Sequence, residues 1–219
     1  MDQLIYWQLL TADPIGSAKT GLRFIHFIGL ALGLGAATLL DLMLLKFFVK
    51  KGISAESWEI FHFSARIVNV GLVILWLTGI GFIVHYALFD PVKLTNMKIW
   101  AKMSIVVILT INGLFIHGFI MPHLKRQIGK PLFQGMSQAR RVAFLVSGAI
   151  SVTSWYIPVV LGAFPQFNFT VPLVTILLSY ALLIGAAALT MHLMLRWLDP
   201  DKRPSSDSAM PYLPGLSFT

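Results

Sequence analysis

The stretch IFHFSARIVNVGLVILWLTGIGFIVHYALF, residues 60–89, decides the fold of this chain. It is almost entirely apolar, and Asp90-Pro91 ends it. A helix of this length can cross the hydrocarbon core of a bilayer, about 30 Å thick, because each residue adds 1.5 Å. Backbone groups in lipid must be hydrogen-bonded within the protein, so the run predicts a membrane-spanning helix.

The composition of the whole chain agrees with this interpretation. The 219 residues are 57% hydrophobic and only 12% charged, with a mean hydropathy of +0.77. Soluble domains carry about 25% charged residues, so disorder, a soluble enzyme and a nucleic-acid module are excluded. The excess of 17 Lys and Arg over 9 Asp and Glu lies in short patches between apolar runs, which indicates topology signals and no nucleic-acid partner.

Four further runs of similar length predict four more spanning helices: Leu22 to Phe48, Ile99 to Met121, Val142 to Phe164 and Thr170 to Leu195. Their connections are mostly short, which makes neighbouring helices antiparallel. We therefore expect an all-α integral membrane bundle of five transmembrane helices, up-and-down, over residues 22–197. Residues 1–21 are expected to form an external segment with a short interfacial helix, and residues 198–219 a cytoplasmic tail.

The distribution of Lys and Arg predicts the orientation of the bundle. Five basic residues flank one face: Lys19, Arg23, Lys93, Lys98 and Lys102. Eleven flank the other: Lys46, Lys50, Lys51, Lys125, Arg126, Lys130, Arg140, Arg141, Arg196, Lys202 and Arg203. The face with eleven should be cytoplasmic, which puts the N-terminus outside and the C-terminus inside.

Two charged residues lie inside predicted spans, where charge is costly. Asp41 and Arg66 both fall about 10 Å below the inner membrane surface, on helices joined by a short loop. We expect an Asp41–Arg66 ion pair. One interpretation is purely structural; the other is that Arg66 neutralises a bound anion, such as a haem propionate.

The six histidines fall by depth into an inner group of up to four, with His123 just beyond the end of its helix, and an outer pair. His62, His117 and His192 lie near the inner ends of three different helices, and they are the predicted ligands of haem b or a metal ion. His26 and His85 lie near the outer ends of two helices and form a second candidate cofactor site. The competing interpretation is that each histidine is an interfacial residue reaching water. The chain has no cysteine, so thiolate metal sites and covalent haem c are excluded.

Three of these histidines begin stripes of small residues at helical spacing. The stripe from His26 runs through Gly29, Gly33 and Ala37. Two similar stripes run back along the chain from a histidine: from His117 through Gly113 and Thr110, and from His192 through Ala188, Gly185 and Ala181. Small residues allow either another helix or a flat porphyrin to approach the backbone, and the pattern leaves both open.

Two segments resemble known proteins: GLALGLGAATLLDLMLLKF, residues 29–47, and NMKIWAKMSIVVILTINGLFIHGFIMPHL, residues 96–124. They resemble a group of uncharacterised bacterial inner-membrane proteins that is similar to copper-resistance D-type membrane domains and small b-type cytochromes. The resemblance covers about the first three helices. It implies a bacterial inner membrane and a histidine-bound cofactor.

The leading hypothesis is therefore a haem b or metal-binding protein in electron transfer, alone or as a subunit of a larger redox complex in the lipid bilayer. We expect no independent catalytic activity, because no nucleophile with a base–acid partner is evident. Two alternatives stay open: a structural or assembly subunit without its own chemistry, and a copper permease.

Overall fold

The computed structural model describes residues 12–49, 53–130 and 135–198. Its helices are α1 (Pro14–Val49), α2 (Ala55–Phe89), α3 (Met97–Phe115), α4 (Met121–Arg126), α5 (Gln138–Ala163) and α6 (Leu173–Leu198). A π-helical turn, Ile116–Ile120, joins α3 and α4 into one span, and 3₁₀ turns cover Pro91–Thr95 and Pro165–Phe167. Five spans are long and apolar enough to cross a membrane, which confirms the predicted helical membrane protein. The expected interfacial helix and the tail from residue 199 lie outside the described residues.

The first span begins earlier than predicted. Asp13 accepts a hydrogen bond from the Gly16 N–H through Oδ1 at 2.9 Å, and Pro14 occupies the first helical position. An Asp cap followed by proline is a strong helix start, because proline lacks the N–H that would be unpaired there. Residues 14–21, assigned above to an external segment, therefore belong to α1.

The third span continues beyond Met121, where it was expected to end, and through the proline that follows. Pro122 lies in the first turn of α4, which runs to Arg126. The residue before it, Met121, donates its N–H to Ile116 O, five residues back instead of four. The wider π-helical turn makes room for the proline ring, which would otherwise clash with the carbonyl four residues earlier.

The spans run alternately up and down, and α5 is the central one, in contact with α1, α3 and α6. Polar side chains join neighbouring spans within the apolar interior. The hydrogen-bonded pairs are His26–Thr78 (2.7 Å), Trp76–Thr110 (2.9 Å), Asn112–Ser147 (2.8 Å), Ser154–Tyr180 (2.7 Å) and Thr38–Tyr156 (2.9 Å). Each pair satisfies polar groups that would be expensive to leave unpaired in lipid.

The closest helix contact lies between α1 and α2. A Cβ built on Gly71 would lie 2.5 Å from Gly33 N and 2.6 Å from Gly33 Cα. Gly29 meets the side chain of Ile74, and Gly33 also meets the ring of Trp155. The stripe of small residues that begins at His26 is therefore a helix-packing seam, with no room for a porphyrin.

Two apolar clusters close the ends of the bundle. We call the end where α1 finishes and α2 begins the basic end, because it carries Lys46, Lys125, Arg126, Lys130, Arg140 and Arg141. Its core contains Phe47, Ile53, Phe61, Leu124 and Phe144, and the Gly129 N–H donates to Ile53 O at 2.9 Å. The loop between α1 and α2 is thereby attached to the end of α4. At the opposite end Ala101, Ile105, Leu161, Ile176 and Tyr180 join α3, α5 and α6.

A buried lysine joins α3 to the end of α5 at that opposite end. Lys98 is only 6% exposed, and its Nζ donates to Phe164 O at 2.9 Å. A cation there also complements the partial negative charge of a helix C-terminus. Asn96 adds a second connection through its Nδ2, 3.3 Å from Asn168 Oδ1.

The glycine seam yields a matched pair of variants. Gly71→Ala should lower the free energy of unfolding by about 1–3 kcal/mol, because the new methyl group meets backbone atoms that cannot move aside. Gly35→Ala, with nothing within 4 Å of its added Cβ, should be neutral or stabilising by up to about 1 kcal/mol. Reversible unfolding in mixed micelles measures both. Equal effects of the two substitutions would contradict the seam.

The Lys98 contact provides a second matched pair of variants. Lys98→Met keeps the length of the side chain but removes the donor, and it should cost about 1–3 kcal/mol. Lys93→Met removes only the exposed Lys93–Asp90 pair at 4.0 Å and should change stability by less than about 1 kcal/mol. The same unfolding measurement applies, and a Lys98 variant as stable as the Lys93 variant would show that the contact contributes little.

Candidate cofactor groove

A groove of about 860 Å³ opens at the basic end, between the start of α2 and the end of the third span. It lies within the size range of small-molecule sites, but it is open on one side. α2 contributes Ala55, Glu56, Trp58, Glu59, His62 and Arg66. The other wall consists of His117, Met121, Pro122, Lys125 and Ile128. Two of the predicted histidine ligands thus line one groove.

His62 lies on α2, where its ring stacks on a buried tryptophan. The ring centroids of Trp58 and His62 are 5.9 Å apart, with an angle of 25° between the planes. Its Nδ1 lies 3.5 Å from Nη2 of Arg66, one helical turn later, which is the limit of a hydrogen bond. The tryptophan orients the imidazole, and Nε2 is left without a protein partner in the described structure.

His117 lies in the π-helical turn on the opposite wall. The Asn69 amide places Nδ2 3.0 Å and Oδ1 3.3 Å from His117 Nε2. In the tautomer whose Nε2–H donates to Asn69 Oδ1, Nδ1 is unprotonated and available to a ligand. A second ring nitrogen held by a polar side chain is the usual arrangement of a ligating histidine, because it fixes the ring and the tautomer. π-helical turns also occur frequently at functional sites.

The expected Asp41–Arg66 ion pair does not form. Within the described residues the Lys93–Asp90 pair is the one salt bridge between side chains. Ala65 and Phe61 occupy the α2 face that points towards α1, whereas Arg66 is exposed in the groove, about 100° further around the helix. Arg66 therefore has no carboxylate partner in the described structure and can bind an anion in the groove.

Asp41 lines a separate internal cavity of about 90 Å³ between α1, α2, α3 and α5. Most of the walls are apolar, but Asn69, His117, Ser147 and Ser151 also line it. His117 is the residue shared with the groove. A cavity of this size holds a few water molecules and is too small for a porphyrin.

The third predicted ligand, His192, is not in this site. It is half-buried on α6, which packs against α5 and α3, and it lines neither the groove nor the cavity. In the part of the chain that the structure describes, no group of three or more His, Cys, Asp or Glu side chains could hold a metal ion. The expected three-histidine metal site is therefore not assembled, because α6 does not approach α2 at this end.

The outer pair is also separated. His26 Nδ1 lies 2.7 Å from Thr78 Oγ1, and its ring meets the Phe82 ring edge-on, with centroids 5.5 Å apart. His85 instead contacts the rings of Tyr86 and Phe89. No hydrogen bond or ring contact joins His26 to His85 within residues 12–49 and 53–130. His26 of α1 packs against α2, whereas His85 packs against rings of its own helix.

Several features of the groove had no signal in the apolar pattern. These are the stacking of Trp58, the contact of Asn69 with His117, the π-helical turn and the internal cavity. The spacing of His62, Arg66 and Asn69 on one helical face was a usable signal, and Trp58, four residues before His62, extends it. The π-helical turn could have been suspected from Pro122 directly after an apolar run.

Three comparisons with known proteins complete the description. No protein-family model matches the chain, and no curated protein or solved structure matches it significantly.

Proposed function

We propose that the protein is a membrane-embedded haem b protein that works in electron transfer. The observation that carries the proposal is the pair of imidazoles, His62 and His117, on two spans facing one groove that also contains Arg66. Such a groove offers two requirements for binding haem, imidazole ligands and a cation for the propionates. Trp58, Met121, Pro122 and Ile128 add apolar surface, beside the carboxylates of Glu56 and Glu59.

The donor set favours haem over a bare metal ion. Structural zinc sites need four protein ligands and catalytic ones three. The described part of the chain gathers no such group. A porphyrin supplies the equatorial ligands itself, so one or two histidines are sufficient. The same count weakens a copper permease, which would need further soft or imidazole ligands along its path.

Each residue of the groove has a defined role in this proposal. His62 through Nε2 and His117 through Nδ1 would hold the haem iron. Asn69 holds the His117 ring, and Trp58 holds the His62 ring and covers it with an apolar surface. Arg66 and Lys125 would pair with carboxylates at the open side. When bound, haem supplies one-electron transfer, while the protein sets its orientation and its electrostatic surroundings.

The absorbance spectrum of detergent-purified protein from haem-replete cells tests the proposal. We expect a Soret band that is lost in His62→Ala or His117→Ala, and a roughly 10–100-fold weaker affinity for haem in Asn69→Leu. His85→Ala and His192→Ala are the matched controls and should keep the band, because neither residue lines the groove. Helix content by circular dichroism shows that each variant folds.

A colourless wild-type preparation would overturn the haem proposal. If such a preparation also co-purifies with a larger complex, the assembly-subunit alternative takes its place. A Soret band that persists in the double His62/His117 variant would show that the haem binds to a different part of the chain.

We further propose that the basic end faces the cytoplasm of a bacterium and that the protein resides in its inner membrane. The excess of Lys and Arg at this end supports this orientation, which puts the groove inside and the start of α1 outside. An electron partner would then meet the groove from the cytoplasmic side, either as a soluble protein or as another subunit of a redox complex.

The absence of cysteine in the chain makes the orientation easy to measure. Lys93→Cys should react with a membrane-impermeant maleimide added to spheroplasts. Lys125→Cys should react only after the membrane is permeabilised. The reverse labelling pattern would show that the basic end faces outward, which is the opposite orientation.

A further inference from the structure

Asp41 is a carboxylic acid inside the membrane that no part of the proposed haem site uses. It lies on α1 about 12 Å before the end of the helix and lines the internal cavity. Within the described residues it has no hydrogen-bond partner and no ion pair. Acidic side chains in spanning helices are costly and occur mainly where they serve transport or a proton relay.

The groups that face Asp41 across the cavity are almost all uncharged. α2 contributes Asn69, α5 contributes Ser147 and Ser151, and α3 continues into the turn that carries His117. Among the residues that line the cavity, His117 is the one other titratable group. Arg66 faces the groove and supplies no counter-charge here. An unpaired carboxylate in such surroundings becomes neutral by taking up a proton, because an isolated charge is poorly solvated.

The cavity has room for water, and its mostly apolar walls carry a few polar side chains beside Asp41. A water molecule needs about 10–15 Å³ of space open to its centre, so a cavity of about 90 Å³ has room for several. The Asp41 carboxyl group and the Ser151 hydroxyl can bind such water, and the Ser147 hydroxyl, which donates to Asn112, can still accept a hydrogen bond.

The cavity also adjoins the aqueous side of the protein. His117 lines both the cavity and the groove, so this residue separates Asp41 from the groove. A proton can reach the cavity wherever water passes beside that ring. This route requires an opening beside His117 and does not require the imidazole itself to change its protonation state.

We propose that Asp41 is a proton-accepting site inside the membrane, filled from the groove at the basic end through the waters of the cavity. A hydronium ion in the groove passes a proton along these waters. The O–H bond that finally forms is on the Asp41 carboxylate, and a neutral water molecule remains behind. The reverse sequence returns the proton to the same side. The proposal concerns a different acid from the haem site, but its route starts in the same groove and passes His117.

Infrared difference spectroscopy of the purified protein in lipid tests this proposal. We expect a C=O band of a protonated carboxylic acid at neutral pH that shifts when H₂O is replaced by D₂O. Asp41→Asn should abolish the band. Asp90→Asn is the matched control and should leave it unchanged, because Asp90 is exposed and paired with Lys93. If Asp41→Asn does not fold, Asp41→Glu should move the band and so assign it.

A separate variant tests whether the proton reaches Asp41 through the cavity. Gly113 lines the cavity, and nothing lies within 4 Å of a Cβ added to it, so Gly113→Leu fills the cavity without a clash at the backbone. We expect the band to persist and its shift in D₂O to become at least tenfold slower. Gly185 also has open space around an added Cβ but does not line the cavity. In Gly185→Leu the carboxyl proton should therefore be replaced by deuterium at the wild-type rate.

Three results would overturn the proposal. The first is a wild-type spectrum without the band, or with a band that Asp41→Asn leaves unchanged. The second is loss of the band on addition of sodium or potassium at constant pH, which would identify a cation site. The third is unchanged exchange in Gly113→Leu, which would exclude the cavity as the route.

Discussion

The contact of α1 with α2 at Gly33 and Gly71 is the constraint on which the rest of this structure depends. Lipid provides no hydrophobic force between helices, so two spans associate closely only where their surfaces let the backbones meet. Trp155 of α5 packs against the same glycine of α1, so the seam also determines where the central helix lies. The hydrogen bonds between spans then hold the arrangement in register.

This contact determines which polar groups meet. It turns the α2 face with Phe61 and Ala65 towards the cavity and leaves Arg66 on the groove side. A rotation of about 100° between successive residues is enough to separate Arg66 from Asp41, although the two residues lie at similar depth. Among the described residues, Arg66 in the groove has no carboxylate partner and Asp41 in the cavity has no cationic one. These unpaired groups underlie the two functional proposals.

The π-helical turn has a comparable effect on the third span. Pro122 cannot donate a backbone hydrogen bond, and the extra residue in the preceding turn accommodates its ring. That turn places His117 between the groove and the cavity, where Asn69 holds it. One local adjustment thus creates the boundary between the candidate cofactor site and the candidate proton site.

The sequence by itself determined the five apolar spans, because the thickness of the bilayer and the need to pair backbone groups leave few alternatives to a helix of that length. It also indicated that His62, Arg66 and Asn69 share one face, since helical periodicity is a local property. The tertiary structure alone decided that His192 lies apart from His62 and His117, that Asp41 has no partner in the described part of the chain, and that the stripe at Gly33 holds another helix. These outcomes depend on how each span is rotated and which span it packs against, and several residues from distant parts of the chain set both together.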